Sequence, residues 1–265
     1  MTGGTRAVVG IVGPGRAGTA IVTAMVEAGW SVGPVAGRGP DREAVGSAAD
    51  RWAGAAVSVA EVAPAADMVV IGTPDREIES VARAIAPTVR PDTLVLHLSG
   101  ARGLDVLAGL PCRVGALHPL QTFAARFDAS RVAGSWCAIT GDPQVEELAR
   151  AIGMTPFALN DDDRASYHAA ACLASNHLVT LMAQVEATTT VPLEAFGPLV
   201  RATIDNVMVM GPAPALTGPV ARGDFDSVRR HLAALPPGER DAYLAMARRT
   251  AVLAGREFDL GGAPS

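Results

Sequence analysis

The sequence contains no lysine; all 22 of its basic residues are arginine. That absence excludes a lysine Schiff base, a P-loop lysine and a lysine general acid. Cysteine is scarce as well. Cys112, Cys137 and Cys172 are odd in number and show no CxxC spacing. A disulfide framework or a metal site is therefore not expected, and a reducing compartment is. No stretch of about 18 uninterrupted apolar residues occurs, so no membrane span is predicted. The arginines form no dense run and the formal net charge is −5, which argues against nucleic acid as a partner. Met1–Arg6 leads into a short apolar run that breaks at Gly13-Pro14, unlike the layout of a signal peptide. The expectation is a soluble cytoplasmic protein.

What is present points to a globular α/β chain. Of 265 residues, 49% are apolar and 18% charged, enough to bury a sizeable core and long enough for one large domain with a smaller companion. Short β-branched runs fall at Ala7–Val12, Ser31–Ala36, Asp67–Ile71, Thr93–His97, Arg113–Leu117, Trp136–Thr140 and Thr155–Ala158. Most are continuously apolar, as in strands covered on both faces. Helical stretches lie between them at Ala17–Ala28, Arg76–Ala86, Gly103–Leu107 and Val145–Ile152. Alternation of this kind predicts a parallel sheet with right-handed crossovers. After Asn160 the texture becomes helical: Asp163–Thr190, Leu193–Met210, Phe225–Leu235 and Gly238–Ala254. The reading is a Rossmann dinucleotide-binding domain over residues 1–160 and a smaller all-α domain over residues 161–265.

The first strand runs into Gly13-Pro14-Gly15-Arg16-Ala17-Gly18, followed by a helix. This is GxGxxG on the first βα unit. Gly13 permits a tight turn, Gly15 admits a pyrophosphate and Gly18 lets helix and strand pack closely, while the helix N-terminus supplies N–H donors. The bland alternative is a glycine-rich turn without a ligand. The second strand ends at Ala36-Gly37-Arg38, where NAD sites usually carry an acidic residue. Arginine there suits a 2′-phosphate, so NADP(H) is the expected cofactor, with Gly37 beside it. Arg38 as a solvated loop residue is the alternative. Ligands in such sheets bind beyond the strands' carboxyl ends, which places Thr73, Pro74, Ser99 and His118 around the same crevice. Ser99 suits hydrogen bonding to substrate, and His118 reads equally as a turn-fixing or a functional residue. His97, inside an apolar strand, reads as a satisfied core residue.

In the helix from Tyr167 to His177, His168, Cys172, Ser175 and Val179 share one face, with Asn176 at its edge. His168 and Asn176 would bracket a small substrate; a buried helix with two satisfied polar groups is the alternative. These features, with Leu117-His118-Pro119-Leu120-Gln121-Thr122-Phe123 and Ala215–Asp224, resemble the Rossmann-like reductases with a helical C-terminal domain of formerly unknown function. That group is similar to ketopantoate reductases and, more distantly, to β-hydroxyacid dehydrogenases and coenzyme F420-dependent NADP reductases. The ketopantoate enzymes carry lysine, asparagine and asparagine where this chain has His168, Cys172 and Asn176, so it departs at two of three positions. The resemblance further implies Thr217 and Asp224 as substrate-binding residues, with Arg222 available for a carboxylate. Asp224 also stands where a helix N-cap would.

The expected function is NADPH-dependent reduction of a small 2-oxo acid, ketopantoate first, as in pantothenate biosynthesis. In this reading His168 serves as proton donor, Asn176 and Ser99 as its companions, and His118, Thr217, Arg222 and Asp224 as substrate contacts. An imine or other carbonyl reductase of a specialised pathway is the first alternative, and a non-catalytic NADP(H)-binding regulator the second. Nothing marks a site for a second cofactor such as a deazaflavin. The Val/Met stripe of Leu193–Met210 suggests a homodimer interface.

Overall fold

The computed structural model describes residues 7–37 and 42–260, which divide into two compact units at Cys172/Leu173. The division falls inside a helix rather than at Asn160.

In the first unit β1 (Val8–Val12), α1 (Arg16–Glu27), β2 (Ser31–Ala36), α2 (Arg42–Trp52), β3 (Ala55–Ala56), β4 (Met68–Ile71), α3 (Ile78–Ile85) and β5 (Leu94–His97) follow one another. β6 (Arg113–Pro119), β7 (Trp136–Gly141), α4 (Gln144–Ala151), β8 (Thr155–Ala158) and α5 (Arg164–Ala174) complete it. The sheet order is β3-β2-β1-β4-β5-β6-β7-β8. Its first six strands are parallel and doubly wound, with the topological switch between β1 and β4. The continuous apolar runs have the cause their pattern implied. Val9 and Ile11 of β1, with Met68 and Val70 of β4, face a core shared with Ile21, Met25 and Leu148. The alternate residues Val12, Val69 and Ile71 face a second core under Ile78, Val81 and Ile85.

Three features depart from the sequence expectation. β7 runs antiparallel to β6. Residues 120–135 contain no helix to carry the chain back to the other end of the sheet, so it re-enters where it left. α2 and the two-residue β3 went unpredicted: α2 is alanine-rich with a glycine at its centre, and its signals are the dipole-matched Glu43 in the first turn and Arg51 in the last. Gly103–Leu107 is a 3-10 turn over Leu104–Leu107 rather than an α-helix.

The second unit comprises α6 (Asn176–Thr188), α7 (Gly197–Met210), α8 (Pro212–Ala215), α9 (Pro219–Arg222), α10 (Phe225–Ala234) and α11 (Arg240–Leu253). Its core is small: Val220, Val228, Ala247 and Ala251, flanked by Phe225, Leu232 and Tyr243. The expected single helix over 163–190 is two helices, because Ser175 leaves helical geometry (φ −120°, ψ −75°). His168 and Asn176 therefore do not share one continuous helical face. No helix of the described residues is long and apolar enough to cross a membrane.

Candidate active site

The parallel register sets the carboxyl ends of β1, β4, β5 and β6 side by side. A cavity of about 520 Å³ opens at the β1 and β4 ends, lined by Gly13, Pro14, Gly15, Gly37, Thr73 and Pro74, all six expected from sequence. Ala44, Gly72, Arg76 and Glu77 join them. Gly72 was missed although it follows β4 directly, where the strand-end rule would have found it.

Each glycine of the motif has a separate physical reason. Gly13 adopts φ +84°, and a Cβ there would stand 2.6 Å from Thr73 Cγ2 and 2.8 Å from Thr73 N. A Cβ on Gly18 would lie 3.0 Å from the Gly13 carbonyl oxygen, so this glycine lets α1 sit close on β1. Gly15 differs from both, since the nearest atom to its Cβ position is 3.7 Å away. Its bareness leaves room for a ligand, not for the protein. The first intrahelical bond of α1 runs from Thr19 N–H to Gly15 O, which leaves the N–H groups of Arg16, Ala17 and Gly18 without helical acceptors. With no acidic residue in that first turn, the helix end suits an anion. Thr73 Oγ1 is buried and lacks a hydrogen-bond partner, so the cavity wall holds a polar group that a ligand would satisfy. Arg38, the expected 2′-phosphate contact, lies outside the described residues.

The ends of β5 and β6 build a second cluster. His97 is fully buried; its Nδ1 accepts from Ser99 N–H at 3.2 Å and its Nε2 lies 3.2 Å from the Gly103 carbonyl. A backbone N–H only donates, so Nδ1 is bare and the proton sits on Nε2. His97 is thus a neutral structural residue, as its apolar strand suggested. Ser99 is buried, with Oγ accepting from Ala101 N–H and Arg102 N–H. Its own hydroxyl proton stays free to donate, but the residue's first role is to shape this turn.

Burial, followed by the nearby Arg164 charge, pushes His97 down to about 4. An unfolded chain would hold a proton on it up to about pH 6.5. Between those values the unfolded state binds more protons, so the stability given by neutral His97 is complete above pH 6.5 and is lost as pH falls toward 4. Urea unfolding should therefore give lower stability at pH 5 than at pH 7, with a shallower slope in His97→Asn. An equal slope in both proteins would disprove the assignment.

His118, at the end of β6, is the centre of the cluster. Its Nδ1 lies 2.7 Å from Tyr167 Oη, and its ring meets Tyr167 and His168 edge to face at 5.5 and 6.0 Å. Gly100 makes room for that ring, since a Cβ there would stand 2.8 Å from its Cε1 and Nε2. Burial first, then the His168 and Arg164 charges, lower His118 to about 4, and burial raises Tyr167 to about 12. The pair is neutral near pH 7. Beneath it Arg164 is buried, its guanidinium bonded to Asp161, Thr140 Oγ1 and the Ser99 carbonyl. Tyr167 and Arg164 were not expected as site residues, because no spacing in the sequence joins β6 to α5.

Residues 3–122 match the Rossmann-like domain model, and residues 135–250 match DUF2520, a domain of unknown function. The DUF2520 match begins at β7, inside the sheet, and so takes in α5 with Tyr167 and His168. No curated protein matches the chain. A provisionally assigned NADP oxidoreductase from Bacteroides fragilis has a similar structure, with TM-score 0.78, 22% identity, and 93% of this chain and 98% of that one covered. So do 1-pyrroline-5-carboxylate reductase from Streptococcus pyogenes (0.62, 18%, 93% and 98%) and a reductive aminase from Aspergillus terreus in complex with an NADPH species, cyclohexanone and allyl amine (0.66, 17%, 95% and 95%). At these identities the likeness establishes the fold.

The remaining candidates lie in the helical unit. Asn176 opens α6 and is exposed; Thr217 and Arg222 are exposed around α9. Asp224 is the N-cap of α10, its carboxylate accepting from Ser227 N–H and Ser227 Oγ–H, which holds it below the usual carboxylate range. Its helix-capping role needs no substrate. Among the described residues no group of three or more His, Cys, Asp or Glu side chains is placed to hold a metal ion.

Proposed function

We propose that this chain is an oxidoreductase that binds NADP(H) and reduces a C=N or C=O bond of a small substrate. The observation that carries the reading is the placement, at the carboxyl ends of the parallel strands of one sheet, of the open Gly13–Gly18 cradle after β1 and of His118 at the end of β6, paired with Tyr167 of α5. The α1 N-terminus would hold the diphosphate, with Gly15 leaving it room and Thr73 donating its unpartnered hydroxyl. The structural neighbours that bind or are named for NADP support the same cofactor, and so does Arg38 in the sequence. When bound, the nicotinamide supplies hydride to the substrate carbon. Tyr167, oriented by His118, would present a hydrogen-bond donor to the atom on which electron density collects. Ser99, with its free hydroxyl proton, and His168, whose ring meets His118, would be further donors.

The substrate divides two ways. Resemblance to ketopantoate reductases implies a 2-oxo acid, with Arg222 and Thr217 as its contacts. The neutrality of His118 favours an iminium, which reaches its product without taking up a proton, whereas an alkoxide must gain one. The names of two structural neighbours, an aminase and a pyrroline-carboxylate reductase, point the same way. We therefore place the imine first and the 2-oxo acid second. NADPH oxidation followed at 340 nm against panels of cyclic imines and 2-oxo acids, ketopantoate included, separates them. Turnover confined to the oxo acids would reverse the order. Tight NADPH binding with no turnover in either panel would leave a nucleotide-binding regulator in place of an enzyme.

A further inference from the structure

We propose that Arg164 is a positioning residue of the site: by fixing the first turn of α5 across β6, it sets the Tyr167 hydroxyl against His118. Arg164 opens α5, and its side chain is 2% exposed. A buried cation is costly unless it is paired and hydrogen-bonded in good geometry, and this one is held from three directions. Its Nε donates to Asp161 Oδ1 at 2.7 Å, one Nη donates to Thr140 Oγ1 at 2.7 Å, and the other reaches the Ser99 carbonyl at 3.4 Å. The partners are themselves tied down. Asp161 Oδ2 accepts from Leu104 N–H at 2.9 Å, and Gly103 makes room for it, since a Cβ there would stand 2.7 Å from the carboxylate. Thr140 donates its hydroxyl to the Leu159 carbonyl at 2.6 Å. The planar fork of a guanidinium suits partners spread around it in this way.

Those partners lie on both sides of the strand that carries His118. β6 runs between β5 and β7; Ser99 follows β5, and Thr140 belongs to β7. In the register of the sheet Thr140 pairs with Ala116, and Ala116 pairs with His97. Paired residues share a face of a sheet, and so do residues two apart on one strand. His97, Ala116, Thr140 and His118 therefore share one face. α5 meets that face with a matching spacing of its own: Arg164, Tyr167 and His168 stand at i, i+3 and i+4, one side of a helix. Anchoring Arg164 fixes Tyr167 one turn on, about 4.5 Å along the axis. The outcome is the 2.7 Å contact between Tyr167 Oη and His118 Nδ1, with His168 at the edge of the same ring.

A double-mutant cycle in the full-length protein separates this role from a merely stabilising one. Its kinetic arm rests on the reductase reading above; its spectroscopic arm does not. Tyr167→Phe should lower kcat by about 10²–10³ in the parent. In Arg164→Met, where the hydroxyl has already left its place, the same change should cost less than about tenfold. The spectroscopic arm uses protein carrying ¹⁵N-labelled histidine, with the His118 signals assigned by their loss in His118→Asn. Tyr167→Phe should shift those ring resonances in the parent and leave them unmoved in Arg164→Met. Circular dichroism establishes that each variant is folded. Thr140→Val withdraws one acceptor of Arg164 with little change of shape and serves as the background if Arg164→Met does not fold. There the Tyr167→Phe effect on kcat should be at least about threefold smaller than in the parent, with a correspondingly smaller resonance shift. Equal effects of Tyr167→Phe in the parent and in the folded background would overturn the proposal and leave Arg164 a stabilising residue only. A parent without turnover would remove the reductase reading, and the resonance shifts would still decide the role of Arg164.

Discussion

Gly15→Ala is expected to fold as stably as the unmodified chain and to lose at least ~100-fold in affinity for NADPH. The two halves of that expectation come from different facts. At φ −76° and ψ −174° the backbone of Gly15 lies in a region open to alanine, and the added Cβ would have no protein atom closer than 3.7 Å. Nothing in the fold resists the methyl group. The diphosphate would, because that methyl group stands between it and the α1 N–H donors. Losing two charge-assisted hydrogen bonds of about 1.5–3 kcal/mol each is a loss of two orders of magnitude or more. Gly13→Ala makes the contrast. There φ is +84° and the Cβ would stand 2.6 Å from Thr73 Cγ2, so the variant should lose about 1–3 kcal/mol of stability as well as affinity. Thermal denaturation beside fluorescence titration with NADPH reads both quantities. A Gly15→Ala protein that binds NADPH as tightly as the parent would show that the diphosphate does not lie in this cradle.

The cradle was legible in the sequence because its chemistry is local. Strand, tight turn and helix N-terminus occupy one stretch of chain, and three glycines at fixed spacing state the requirement. The strand-end rule extended that to Thr73, Ser99 and His118 through periodicity alone. Other features depended on contacts that no local pattern encodes. Tyr167 stands 49 residues from His118, and its hydroxyl meets the imidazole only because α5 returns against β6. Arg164 reads as one arginine among 22, yet it is buried at the base of the site. Reading 163–190 as one helix was reasonable for a run without glycine or proline, and Ser175 breaks it all the same. The antiparallel β7 followed from a missing crossover helix, an absence that strand patterning does not report.

That return of α5 shifts the largest catalytic effect from the residue the sequence favoured. His168 was the expected proton donor, standing where related enzymes place lysine. In the structure His118 and Tyr167 hold each other at 2.7 Å while His168 meets the His118 ring only at its edge, 6.0 Å between centroids. Tyr167→Phe removes the hydroxyl and keeps the ring that packs on Phe157. It should lower kcat by about 10²–10³, the range of one lost hydrogen-bond donor at the atom that gains electron density, with the NADPH dissociation constant within about twofold of the parent's. His118→Asn should fall in the same range, because it frees the hydroxyl from its orientation. His168→Ala should cost less than either, and a greater loss there would return the donor's role to His168. The pH profile gives a further check. His118 lies at about 4, well below the ordinary histidine value near 6.5, so it is neutral throughout the range from pH 5.5 to 8. The parent should show no loss of kcat near pH 6.5 as the solution is acidified. A kcat that instead falls as pH rises through 6.5, with that fall abolished in His118→Asn, would mean that His118 works as a cation, and the neutral-pair mechanism would fall with it.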